Sequence, residues 1–198
     1  MQQRRCTFRH VLGVAWTGVP APSPDPSGFY LWNSLALASD NVWASGWGRE
    51  HTFTLHWDGA RWSSVPTPDR YESLSLVGIA GTVADRMWAV DMFQDPYGAY
   101  LALPHSDGRT WETVPDSTIR LRDILHGVAA SAGDDIWTVG YSGLVLRWNG
   151  QSWQQAQPAS GPDTGLYSVA MIAPDEIWAV GRDRNGAHIE RDTYLRCP

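Results

Sequence analysis

The chain has 198 residues, 43% of them hydrophobic, and a net charge of −6. That length allows one substantial core, and that charge excludes the basic stripe that a general nucleic-acid surface needs. No run of about 18 apolar residues occurs, so no membrane-spanning helix is expected.

At the N-terminus, Arg4, Arg5 and Arg9 precede an apolar run over 11–19, which loosely resembles a secretory leader. Thr17 and Gly18 interrupt the run, no Ala-x-Ala site follows, and Gly13, Trp16, Val19 and Pro20 occupy positions that recur later. The segment is therefore read as a repeat hairpin. Residues 20–27, rich in Pro and Ser, read as an interblade loop.

The next 170 or so residues repeat one theme. An apolar run (34–38, 74–80, 124–130, 166–172) leads to Asp-x-x-Trp: Asp40–Trp43, Asp85–Trp88, Asp134–Trp137 and Asp175–Trp178. Runs without polar alternation are buried on both faces, and Asp suits the turn between two strands. A third strand then reaches Asp58-Gly59, Asp107-Gly108 or Asn149-Gly150. These pairs predict a tight type I′ hairpin, with positive φ at both central residues. A second Trp follows each turn, at Trp62, Trp111 and Trp153, with Trp16 as a first copy in which Leu12 stands at the turn position. Val65-Pro66 and Val114-Pro115 close the unit, since proline fits an edge strand.

Successive Trp lie 45, 49 and 41 residues apart in the first series and 46, 49 and 42 in the second. Series that lengthen and shorten together belong to one unit. Four-stranded units of this period predict an all-β fold, a β-propeller of about four blades. The whole chain, 1–198, reads as a single domain, with units over roughly 17–62, 63–111, 112–153 and 154–198, the last completed by 1–16. Closure would pair the N-terminal strands with the last blade and predicts a monomer. The alternative is a piece of a larger propeller, because 20 residues follow Trp178 and Gly186-Ala-His-Ile-Glu190 echoes 98–102. Cys6 and Cys197 lie at opposite ends. They are either unrelated thiols or a disulfide stapling a ring, which would require an oxidising compartment.

The phrases Trp57-Asp-Gly-x-x-Trp62 and Asp-x-x-Trp-Ala-Val-Gly resemble repeats of secreted, Trp-rich bacterial propeller proteins. The resemblance covers almost the whole chain. It implies an extracellular or cell-surface location and no common activity. Ser106-Asp-Gly-Arg-Thr-Trp111 is more distantly similar to the Asp-box of sialidase-type propellers, with its Asp one place late. In that family the box is a structural hairpin, remote from chemistry.

Catalytic signals are poor. The six His have no zinc spacing, and neither a nucleophile elbow nor a phosphate loop occurs. No metal or cofactor is expected. Of 12 Trp, ten occupy repeat positions and suit packing, which leaves Trp32 and Trp47. The loops after each second strand differ most between copies, and such loops on a rigid scaffold carry binding. They supply Trp47, Arg49, Glu50, His51, Asp95, Tyr97, Tyr141, Arg182, Asp183 and Arg184 as a candidate rim. His126 and Tyr167 each stand eight residues before their turn Asp, placed to line a central channel. The leading functional reading is a non-catalytic module that binds a glycan or protein partner through one propeller face. Two alternatives stand beside it: a hydrolase or lyase at the channel mouth, and a truncated or structural propeller.

Overall fold

The computed structural model describes residues 7–12, 15–49, 51–67, 76–91, 100–120, 123–157, 161–174 and 176–193. An N-terminal hairpin of β1 (Thr7–Leu12) and β2 (Ala15–Pro20) precedes four antiparallel sheets. The first holds β3 (Phe29–Ala38), β4 (Asn41–Gly48), β5 (Thr52–Trp57) and β6 (Trp62–Pro66). The second holds β7 (Leu76–Val83), β8 (Arg86–Asp91), β9 (Tyr100–Ser106) and β10 (Trp111–Arg120). The third holds β11 (Leu125–Ala132), β12 (Asp135–Gly140), β13 (Val145–Trp148) and β14 (Trp153–Gln155). The last holds β15 (Gly165–Ala173), β16 (Glu176–Asp183) and β17 (Gly186–Thr193). Within every sheet each strand pairs with its successor in the chain. Among the described residues no helix is long and apolar enough to cross a membrane.

Neighbouring sheets meet through their Trp residues, which explains why the two series keep step. Trp43 on β4 packs edge-on against Trp111 of the next sheet at 6.3 Å, and Trp88 on β8 against Trp153 of the sheet after it at 5.2 Å. The two Trp of one contact thus come from consecutive units. Edge-to-face aromatic pairs add about 0.5–1.5 kcal/mol beyond their buried area. The inner strands β3, β7, β11 and β15 lie beside one another in that order. Glycine permits their close approach: a Cβ on Gly127 would lie 3.0 Å from the Ser168 backbone.

A further regularity sits opposite each second-strand Trp. His56 faces Trp43, His105 faces Trp88, Arg147 faces Trp137 and Arg191 faces Trp178. The imidazoles lie tilted on their Trp rings at 4.5 and 4.7 Å between centroids, and the guanidinium carbons lie 5.4 and 5.3 Å from the ring centroids. Four of the polar side chains that looked scattered in sequence are thus one packing position, in which the Arg pairs are cation–π contacts.

The hairpins differ from the type I′ expectation. Gly59, Gly108 and Gly150 have φ of 90°, 86° and 92°, but the preceding Asp58, Asp107 and Asn149 are not in the left-handed region. Four residues, not two, join β5 to β6, and the Asp58 carboxylate accepts the N–H groups of Ala60 and Arg61 at 2.9 and 2.8 Å. Asp107 and Asn149 do the same in their turns. The side chain closes the loop in place of a second strained residue. Within the hairpin between β9 and β10, Ser106 Oγ also donates to the Thr110 carbonyl at 2.8 Å.

The ends of the row do not join among the described residues. β1 and β2 pair only with each other, and Val19 packs with Ala21 against the first full sheet. In the last sheet β17 holds the third place, where an N-terminal strand would have to enter to close a four-bladed ring. Cys6 and Cys197 lie outside the described residues.

Candidate functional site

All four inner strands carry a β-bulge at the same place. The register slips between Leu31 and Asn33, Leu76 and Gly78, Leu125 and Gly127, and Leu166 and Ser168. The preceding residue is Leu every time and points into the core. The extra residues are Trp32, Val77, His126 and Tyr167. A bulge bends the strand and re-aims one side chain. Here it turns one position per sheet toward a shared cleft of about 390 Å³, lined by all four of these residues. Asn33, Ser168 and the Gly127 backbone complete its hydrogen-bonding floor.

The aromatic rings at the cleft order one another. His126 packs edge-on to Tyr141 at 4.5 Å and to Tyr167 at 5.3 Å, and Tyr141 meets Tyr167 at 6.0 Å. Ser142, the next residue after Tyr141, takes a left-handed φ of 56° within a short 3-10 turn. Its hydroxyl donates to Asp123 at 3.0 Å, which anchors the turn that presents Tyr141. Gly165 lies beneath this cluster, where a Cβ would stand 3.1 Å from the Tyr141 ring and 3.3 Å from the Tyr167 hydroxyl. Burial lowers the basicity of His126, so its imidazole is neutral near pH 7. Its Nε2 is buried without a hydrogen-bond partner in the protein. Trp32 is 59% exposed at the open side.

The other predicted residues fall around this cleft. Trp47 stacks on Tyr30 at 5.0 Å and 27°, and Tyr30 is 60% exposed. The Arg49 N–H donates to Asp25 Oδ2 at 2.7 Å, and the Ser27 N–H to Asp25 Oδ1 at 2.7 Å. Those two bonds hold the Asp25 carboxyl below its ordinary range, with a smaller contribution from His51. The Arg49 bond ties the 20–27 loop to the end of β4. Arg182 is exposed on β16, across from Gly165 and Ala187. Arg184 pairs with Asp163 at 2.7 Å. Tyr97 lies outside the described residues, as do Glu50 and Asp95. Trp32, His126 and Tyr167 therefore share one cleft with Tyr141 against it, while Trp47, Arg49, His51 and Arg182 do not line it. Tyr30, Asp25 and Val77 were missed. Trp32 and Val77, like His126 and Tyr167, stand eight residues before their turn Asp, so the repeat aligns the four positions without placing them in one cleft.

No family model matches the chain, and no curated protein matches it. Solved structures do. YCF48 from Cyanidioschyzon merolae superposes with a TM-score of 0.64 at 17% identity, over 91% of this chain and 61% of that one. The fold is a β-propeller. A second structure, YCF48 bound to D1 peptide, matches with a TM-score of 0.56 at 16% identity, over 92% of this chain and 70% of that one. The propeller thus spans about three fifths of the first neighbour's length. Among its described residues, no group of three or more His, Cys, Asp or Glu is placed to hold a metal ion.

Proposed function

We propose that this propeller is a non-catalytic interaction module that takes a peptide segment of a protein partner in the cleft between Trp32 and Tyr167. The observation that carries this is the repeated bulge. The same backbone irregularity in four strands delivers four different side chains, Trp, Val, His and Tyr, to one place. The surrounding packing repeats, while the delivered residues differ, as a recognition surface requires. Aromatic side chains bind with large area at low entropic cost, and Asn33, Ser168 and His126 offer hydrogen bonds to a main chain. Among the described residues no carboxylate lines the cleft to pair with His126, which favours binding over general-base chemistry. The peptide-bound state of one structural neighbour supports the same reading.

Panning a random-peptide phage library on the immobilised protein tests it. Enriched peptides should lose about 30-fold in affinity on Trp32→Ala and on Tyr167→Ala, the size of a binding hot spot. Equal binding by both variants would move the site elsewhere. Glycan-array hits that depend on Trp47 and Tyr30 would favour a sugar ligand on the stacked pair.

A further inference from the structure

A second group of aromatic rings adjoins the cleft. Tyr30 and Trp32 are 60% and 59% exposed. Leu31 between them packs into the core of the first full sheet, which turns both rings away from that core. Tyr30 stands two residues from Trp32 on β3, about 7 Å at the rise of a strand. The ladder pairs Tyr30 with Trp47 on β4, and the two rings stack at 5.0 Å and 27°. Cross-strand partners lie on one face of a sheet. The turn after Trp47 is closed by the Gly48 N–H, which donates to the His51 carbonyl at 2.8 Å, and is held by the Arg49 N–H bond to Asp25. The stack is thus ordered before any ligand arrives, which lowers the entropic cost of binding to it.

The stack is not a packing device of the repeat. In the two later sheets the same pair of positions holds Ile124 beside Tyr141 and Gly165 opposite Arg182. An aromatic pair that the fold does not reuse, left open to solvent and continuous with a row of exposed rings, marks an interaction surface. The row also suits one kind of ligand. An extended chain turns every second side chain to the surface beneath it, and Trp32 and Tyr30 offer rings at that same step along β3. A segment that leaves the cleft past Trp32 therefore crosses Tyr30 next. We propose that the recognition surface runs out of the cleft along β3 onto the Tyr30–Trp47 stack. Its occupant is an extended segment of the protein partner with two apolar side chains an even number of residues apart, one in the cleft and one on the stack. This rests on the peptide reading of the cleft and adds the second anchor to it.

Peptides enriched on the intact protein, resynthesised with alanine at each position in turn, test this by polarisation titration. The expected result is two apolar positions, an even number of residues apart, at each of which alanine costs about 10-fold or more. Tyr30→Ala and Trp47→Ala should each weaken the parent peptide by about 10-fold. Each should also erase the effect of alanine at one of the two positions and spare the other, as a double-mutant cycle reads directly. Trp47→Phe keeps a ring against Tyr30 and should bind within about 3-fold of wild type, which separates lost contact from lost folding. Peptides that need Trp32 and Tyr167 yet bind Tyr30→Ala and Trp47→Ala like wild type would overturn this proposal and leave the cleft reading intact, as would anchors an odd number of residues apart. Peptides indifferent to Trp32 and Tyr167 would overturn both. A glycan held by Tyr30 and Trp47, with peptide affinity unchanged in those variants, would overturn it by giving the stack to a sugar.

Discussion

Gly165 is the residue on which the aromatic cluster rests. A valine there would drive its methyl groups into the Tyr141 ring and the Tyr167 hydroxyl. Overpacking of this kind costs about 1–3 kcal/mol. Gly165→Val should therefore lower stability modestly and weaken peptide capture far more, a contrast that thermal melts and binding titrations on one sample will resolve. The histidines set a pH dependence. His56, His105 and His126 are each pushed below the ordinary imidazole range, in every case chiefly by burial. As pH falls through that range the unfolded chain takes up protons that the folded chain resists. Stability accordingly falls with decreasing pH there, and is fully present above the ordinary range. Melting temperatures measured from pH 7.5 down to about pH 5 should fall, and His105→Gln should flatten the profile.

At the scale of the element, the hairpin glycine and the turn Asp depend on each other. A Cβ on Gly150 would lie 3.0 Å from Asp134 Cβ, and one on Gly108 would lie 2.6 Å from the Ala84 carbonyl, both at positive φ. Gly150→Ala should cost at least the ~1–2 kcal/mol of a left-handed non-glycine residue, measured by denaturant unfolding. In the neighbouring hairpin, Asp107 is held below its ordinary range by the Thr110 and Arg109 N–H groups, in that order. Asp107→Asn keeps an acceptor for both donors, whereas Asp107→Ala keeps none. The Asn variant should melt close to wild type and the Ala variant below it. The hairpins were legible in sequence because Asp-Gly and Asn-Gly recur. Their true length was not, because an Asp side chain can close a four-residue loop as readily as the backbone closes a two-residue one.

For the whole molecule, the same repeat position has opposite consequences according to what lies beside it. Val139 and Val180 follow Trp-Thr and Trp-Ala in equivalent strands, yet one is enclosed and the other open. Val139→Asp buries a charge without a partner and should cost several kcal/mol. Val180→Asp should change intrinsic stability by about 0.5 kcal/mol or less when unfolding is followed in dilute solution. The amino-acid sequence alone determined the strand-turn rhythm, the pairing of strands within each sheet and the Trp that fill the spaces between sheets. These follow from local propensity and from a period that fits a single chain segment. Only the tertiary structure decided that Trp32, Val77, His126 and Tyr167 converge. It likewise decided that Trp47 and Arg182 stand apart from them, and that β17 takes the place an N-terminal strand was expected to fill. The reason is physical. A bulge shifts one side chain by a change of register that no residue type announces, and which face of a sheet is covered depends on the sheet that packs against it.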